Sequence, residues 1–258
     1  MKKILDIKDL CFVADKQIIL KDINWRVNEG ERWVLLGANG AGKTSLLSTI
    51  CAYNTPSSGT MTVADKTYSE YDWQKVRERI AIVSAHLNRQ INANELVLET
   101  VVSGEYAMLN LWGDVSKSVC NKAVAKLEEF KIAHLAASKW GTLSQGERQK
   151  VLIARAMMVN PYVIFLDEPC NGLDPIARSE FVGFMNEISR SKKVPAMVLA
   201  THHIEEIPPS FTHALVLKDG AVLASGKIAE IINSKTLSTA YGAKVKVFKK
   251  AGKFFLKI

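Results

Sequence analysis

The chain has 258 residues, 48% of them apolar, and a formal net charge of +8; it reads as a soluble globular protein of one large domain or two small ones, with enough apolar residues for a substantial core. Met1-Lys2-Lys3 is basic, but Asp6, Lys8 and Asp9 interrupt the apolar run that a signal peptide needs. The one long uncharged stretch, 44–64, carries Pro56, Gly59 and many Ser and Thr, which excludes a membrane span.

In chain order, Ile4 to Phe12, Ile18 to Ile23 and Trp25-Arg26-Val27 read as strands, with Asn28-Glu29-Gly30 as the turn into the apolar run Trp33-Val34-Leu35-Leu36. An antiparallel β layer at the N-terminus is the simplest account. Gly37-Ala38-Asn39-Gly40-Ala41-Gly42-Lys43-Thr44 follows, then the apolar-rich segment Ser45 to Ile50. This is G-x-x-x-x-G-K-[ST] between strand and helix, the context a phosphate loop requires. Its glycines let backbone N–H groups curl toward phosphate oxygens, and the following helix adds the positive end of its dipole. Gly37 to Thr44, with Ser45 beside them, are therefore assigned to a nucleoside triphosphate, Lys43 reaching the β- and γ-phosphates and Thr44 a magnesium ion.

Beyond the turn Asn54 to Gly59, Thr60 to Val63 resumes as strand, and Ile80 to Ser84 as another. From His86 to Met158 the period becomes helical, with Val119, Ala123, Val124, Leu127 and Phe130 expected on one face. Residues 86–158 thus form an expected helical subdomain inserted between two parts, 1–85 and 159–258, of a single α/β core. Tyr162 to Leu166 reads as a buried strand, Pro175 to Arg190 as a helix and Ala196 to Ala200 as a strand. Ala214 to Leu217 and Ala221 to Leu223 flank the turn Lys218-Asp219-Gly220.

The strand Val163 to Leu166 ends in Asp167-Glu168-Pro169. A carboxylate at the exposed end of a buried strand, next to a phosphate loop, is the acidic partner a magnesium ion bridging β- and γ-phosphates would need, and Asp167 is given that role. Glu168 is placed to polarise an attacking water. Leu143-Ser144-Gln145-Gly146-Glu147 opens a helix; Ser144 suits the N-cap and Glu147 the reciprocal position of a capping box, and a capped helix N-terminus also binds anions.

Together these segments resemble an ATP-binding cassette (ABC) ATPase: phosphate loop, signature Leu143 to Glu147, Walker B strand Val163 to Glu168, D-loop Asn171-Gly172-Leu173-Asp174, and Thr201-His202-His203 as the switch-histidine element. The resemblance covers residues 4–226 and implies a RecA-like P-loop core with ATP and magnesium as cofactors. It also implies a head-to-tail homodimer, or cassette heterodimer, in which Ser144 and Gly146 of one chain close over ATP on the other. His202 would contact the γ-phosphate and Asp174 would work across the interface; His203 is given a structural role, the adjacent pair leaving the reverse assignment open.

Three positions depart from the family pattern. Ser84-Ala85-His86 stands where a glutamine usually helps bind magnesium and couples to a membrane partner, Ala14 where an aromatic stacks on adenine, and Cys170 where a threonine follows Asp-Glu-Pro. Ser84 or His86 could replace the glutamine, and Phe12 or another aromatic the stacking residue. With Trp25 and Glu31-Arg32-Trp33, these departures resemble stand-alone cassettes grouped near the molybdenum-associated ones. The expected function is ATP hydrolysis on the cytoplasmic face of a membrane, powering a separate integral-membrane permease. A soluble regulatory module using ATP-driven dimerisation is the alternative, and no nucleic-acid partner is expected.

The four cysteines, Cys11, Cys51, Cys120 and Cys170, have no C-x-x-C spacing, so reduced thiols are expected in place of a zinc site or redox pair. Residues 243–258 hold six lysines and no acid, leaving 28 basic and 26 acidic residues over the rest. Val245 to Phe248 and Phe254 to Leu256 around Ala251-Gly252 read as a terminal hairpin with a lysine-rich face, either a solvated edge or a contact for lipid headgroups or an acidic partner.

Overall fold

The computed structural model describes residues 2–191 and 194–258, and within them the side chains of all but Ala85 and His86. The chain opens with β1 (Lys3–Ala14) and β2 (Gln17–Asn28), long antiparallel strands joined through Asp15 and Lys16, both at positive φ. β3 (Arg32–Leu36) leads into α1 (Lys43–Ile50); β4 (Ser58–Val63) and β5 (Lys66–Thr67) then complete a sheet of order β2-β1-β4-β5. This is the expected antiparallel layer. Trp25 to Val27 is a continuation of β2, not a separate strand, since the register shifts between β1 and β2 break the alternation without ending either strand.

After α2 (Trp73–Arg77) and β6 (Ile80–Ser84) come α3 (Ala85–Gln90), α4 (Val97–Ser103), α5 (Lys117–Glu129) and α6 (Gln145–Ala156), with short 3-10 turns after α4 and between α5 and α6. The buried stripe of α5 runs through Ala123 and Leu127 to Phe130, with Val119 half-buried. Val124 faces solvent, contrary to the periodicity: it lies one position beyond Ala123 and so about 100° round the helix.

β7 (Val163–Asp167), α7 (Pro175–Ile188), β8 (Ala196–Thr201), β9 (His213–Lys218) and β10 (Ala221–Lys227) return to the α/β pattern. α8 (Ile228–Ile231), α9 (Ser234–Tyr241) and the hairpin β11 (Lys246–Lys250) with β12 (Lys253–Lys257) follow. The central sheet has the order β10-β9-β3-β8-β7-β6 and is parallel except for β10. Its five parallel strands are mostly apolar because both of their faces are covered, whereas the edge strand β10 is half-exposed. Val34, Leu36, Ile164, Leu166, Met197 and Leu199 enter the core shared with the helices, whereas Leu35, Phe165 and Val198 enter the core under the β layer and α1. The parallel strands all deliver their C-terminal ends to the same edge of the sheet.

Among the described residues no helix is long and apolar enough to cross a membrane, and 44–64 forms α1, a turn and β4, not a continuous helix. All four cysteines are free.

Candidate active site

Gly37 to Thr44 leave the end of β3 and curl into α1. The close packing of the curl is clearest at Gly42 and Gly37. Gly42 has φ +98°, and a Cβ on it would lie 2.9 Å from Leu20 Cδ2; a Cβ on Gly37 would lie 2.7 Å from the Leu217 carbonyl oxygen. Gly220, in the β9–β10 turn, donates its N–H to the Ala41 carbonyl at 3.3 Å and braces the loop from outside. α1 has no side-chain cap and no acidic residue in its first turn, so its N-terminus stays open to an anion. Ala38, Asn39, Gly40 and Ala41 line the curl, and Ser45 is half-buried in the first turn of α1.

Lys43 is buried, its ammonium donating to the carbonyls of Gly37 at 2.9 Å and Ala38 at 3.1 Å, with Glu168 Oε1 at 3.6 Å. Burial draws its pKa below the ordinary lysine value, opposed by the Glu168 and Asp167 carboxylates. The Thr44 hydroxyl donates to Asp167 Oδ2 at 3.0 Å. Asp167 ends β7 with its other oxygen, Oδ1, buried and without a partner. Burial raises its pKa; Thr44 opposes the rise and the neighbouring Glu168 adds to it. A hydroxyl beside a carboxylate with a spare buried oxygen suits magnesium, which takes a few protein oxygens and leaves the rest of its octahedron to phosphates and water. Thr44 and Asp167 are the residues that would hold it.

Glu168 has φ +48°, an uncommon backbone for a non-glycine residue, held by its N–H bond to the Ala200 carbonyl at 2.9 Å. Its carboxylate faces His202, whose Nδ1 lies 3.1 Å from Oε1. His203 packs its ring against that of His202, centroids 4.0 Å apart, and donates its N–H to Thr201 Oγ1. Of the two histidines, His202 is the one bonded to the carboxylate.

Ser144 caps α6, accepting from the Glu147 N–H, while Glu147 accepts from the Ser144 N–H at 2.8 Å and hydroxyl at 2.7 Å. Those bonds from Ser144, set against partial burial, hold the Glu147 carboxyl below the usual range. A Cβ on Gly146 would meet nothing within 4 Å. Among the described residues, no hydrogen bond or ion pair joins Ser144 or Gly146 to the phosphate loop of the same chain. Asp174 caps α7, its Oδ1 accepting from the N–H groups of Ile176 and Ala177. A groove of about 960 Å³ runs from Thr44, Asp167 and Glu168 past Ser84 to Arg155, Gly104 and Leu109.

The family's other expected positions are altered. Phe12 packs against the core, and the exposed apolar pair at the β1–β2 tip is Val13 and Ile18. The side chains of Ala85 and His86 lie outside the described ones, so of the glutamine replacements only Ser84 is placed, on the groove wall. Cys170 is fully buried, which pushes its thiol pKa up and leaves it a packing residue. Sequence reasoning missed the support of the histidine loop. The Thr201 hydroxyl donates to the buried Glu206 carboxylate, which pairs with Arg178 at 3.5 Å, and Tyr241 reaches the His202 backbone. Arg178 and Tyr241 lie far from the histidine element in sequence, so only the tertiary fold brings them to it.

A family model described as ABC transporter matches residues 20–171. The chain is 40% identical over 245 residues to the uncharacterized ABC transporter ATP-binding protein YlmA of Bacillus subtilis, covering 95% of this chain and 93% of that one. Among solved structures, cbiO1 from Clostridium perfringens, part of the ABC transporter complex cbiONQ, matches with a TM-score of 0.80 at 28% identity, covering 93% of this chain and 94% of its own. A bacterial ABC transporter cassette solved as a dimer matches with a TM-score of 0.71 at 25% identity, over 87% of this chain and 98% of its own. With a phosphate loop facing acidic and histidine side chains at the ends of parallel strands, this chain belongs to the ABC transporter family, as an ATP-binding cassette ATPase.

Proposed function

We propose that two copies of the chain pack head to tail, each phosphate loop holding magnesium-ATP and each being closed by Ser144 and Gly146 of the other copy, and that hydrolysis there powers a separate membrane permease. The observation that carries this reading is Gly146. Nothing in its own chain comes near enough to require a glycine, yet it sits in the first turn of a capped helix, where backbone N–H groups and the helix dipole favour an anion. That a cassette among the structural relatives is dimeric supports the pairing of two copies.

In this reading Lys43 and the N–H groups of Gly37 to Ser45 bind the phosphates. Thr44 and Asp167 hold magnesium, which when bound neutralises charge on the β- and γ-phosphate oxygens. Glu168 takes the proton of the water that attacks the γ-phosphorus as the bond to ADP breaks, and His202, bonded to Glu168, faces the γ-phosphate. Binding of ATP closes the pair and its hydrolysis reopens it, because the γ-phosphate touches both copies only in the closed state. Residues 86–158 act as the signature subdomain, moving Ser144 against the other copy's loop. The groove beside Ser84 receives the permease, which would hold the chain at the cytoplasmic face of the membrane, as the transporter-complex relative cbiO1 suggests.

Mixing two inactive variants tests the arrangement. Lys43→Ala removes the phosphate ligand, and Gly146→Asp fits its own chain sterically but sets a carboxylate against the other copy's nucleotide. Each alone should lose at least about 100-fold in ATPase rate, while the mixture, whose heterodimers hold one intact composite site, should hydrolyse ATP well above either alone. Activity no greater than the summed parts would overturn the head-to-tail site. The second reading, a non-transport module driven by ATP-dependent dimerisation, draws on the absence of a glutamine at 84–86. A multi-span membrane protein retrieved with the tagged chain decides for transport; a soluble partner alone decides for the module.

A further inference from the structure

The C-terminal segment behaves as one body. α9 is capped by Asn233, buries Leu237 and Ala240 and ends at Gly242 with φ +66°. Ser238 and Ser234 in α9 bind the backbone of Val245 and Val247, which ties the terminal hairpin to the helix. Phe254 is buried in the main core. From this body two bonds reach the loop after β8. The Tyr241 phenol donates to the carbonyl of His202 at 2.9 Å, and the Leu256 N–H donates to Glu205 Oε1 at 3.2 Å. They bracket the loop, one at His202 and the other three residues beyond it.

We infer that Tyr241 is a positioning residue for hydrolysis, fixing the backbone of His202 so that its imidazole keeps its bond to Glu168. The inference rests on the proposed role of His202. A ring 3.1 Å from the carboxylate has little room to drift, and misplacing a reacting group by about 1 Å can cost on the order of 100-fold in rate. The phenol remains a donor at neutral pH, since burial pushes its pKa up to about 12. The other anchors of this loop, Thr201 with Glu206 and the His203 N–H with Thr201, are internal to it or reach α7. Among the described residues, Tyr241 is the bond that ties His202 itself to the C-terminal body.

Tyr241→Phe keeps the ring and removes one hydrogen bond. Its kcat should fall about three- to ten-fold, with KM for ATP unchanged and Tm lower by no more than about 3 °C. The side-chain NMR signals of His202, assigned by their loss in His202→Gln, should shift while those of His134 and His213 stay in place. An unchanged kcat, a loss shared equally with KM, or a His202 signal that does not move would each overturn the inference. If His202→Gln itself hydrolyses ATP at the wild-type rate, the assignment of His202 fails instead; a collapse in His202→Gln with no effect of Tyr241→Phe removes only the role of Tyr241.

Discussion

The Thr44 hydroxyl donates to Asp167 Oδ2 at 3.0 Å across 123 residues of sequence, while Oδ1 of the same carboxylate is buried with no partner. The site therefore holds a desolvated carboxylate that Thr44 and Lys43 offset in part and that keeps one oxygen spare for a ligand. Burial raises the Asp167 pKa above its reference value of 3.8. For a raised carboxylate, the stability it contributes is fully present below the unfolded pKa and is lost as pH rises through the folded one. Asp167→Asn cannot ionise, so the nucleotide-free variant should be more stable than the wild type at neutral pH by about 1 kcal/mol, or about 2–4 °C in Tm. That advantage should shrink toward zero as pH falls to the unfolded value. Calorimetric scans of both proteins across pH check this, and a constant difference would contradict it.

Glu168→Gln removes the proton acceptor but leaves a side chain of the same shape at a backbone of φ +48°. ATP turnover should drop at least about 100-fold with ATP binding retained, and the ATP-bound pair should accumulate. Light scattering on the eluting protein reads the mass directly. In the wild type the specific ATPase activity should rise with enzyme concentration.

Glu31 accepts from the Asn28 N–H and amide, each at 2.8 Å, and from the Trp33 indole at 2.8 Å. Burial works against ionisation there, but the Asn28 and Trp33 bonds and the nearby His213 bring the carboxyl below its ordinary range. A depressed carboxylate gives stability above the unfolded pKa and loses it as pH falls through the folded one. Glu31→Gln should thus cost about 1–3 kcal/mol at pH 7 and progressively less below the carboxylate range, as read by urea midpoints at several pH values.

Phe165 is fully buried on β7, two residues before Asp167, against the core of the β layer and α1. Phe165→Ala should destabilise the chain by about 3–5 kcal/mol, lowering the urea midpoint with little change in slope, while Val124→Ala on the exposed face of α5 should stay within about 0.5 kcal/mol.

Much of this was legible in the sequence because the chemistry sits at strand ends and the strands announce themselves. Trp33 to Leu36 and Val163 to Leu166 are unbroken apolar runs because both faces of the central sheet are covered, and each run is followed at once by its functional residues. Where the pattern misled, local geometry had broken the period. Asp9 adopts positive φ inside β1, and the register shifts there between the pairs Ile7–Trp25 and Leu10–Ile23, opposite Asn24, where β2 reads as two strands in the sequence but continues in the structure. The Asp15-Lys16 turn lacks the Asn-Gly or Asp-Gly pair by which such hairpins are recognised. The Arg178, Glu206 and Thr201 network and the reach of Tyr241 to His202 could not be read, since the partners come from separate elements and each residue taken alone is an ordinary polar side chain.

In the central sheet β3 lies between β9 and β8, both of which come from the last quarter of the chain. During synthesis the glycine loop emerges early, but Leu217, Gly220 and the strands that brace it follow only near the end. A chain without β8 and β9 therefore has the glycine loop but neither of the strands that flank β3.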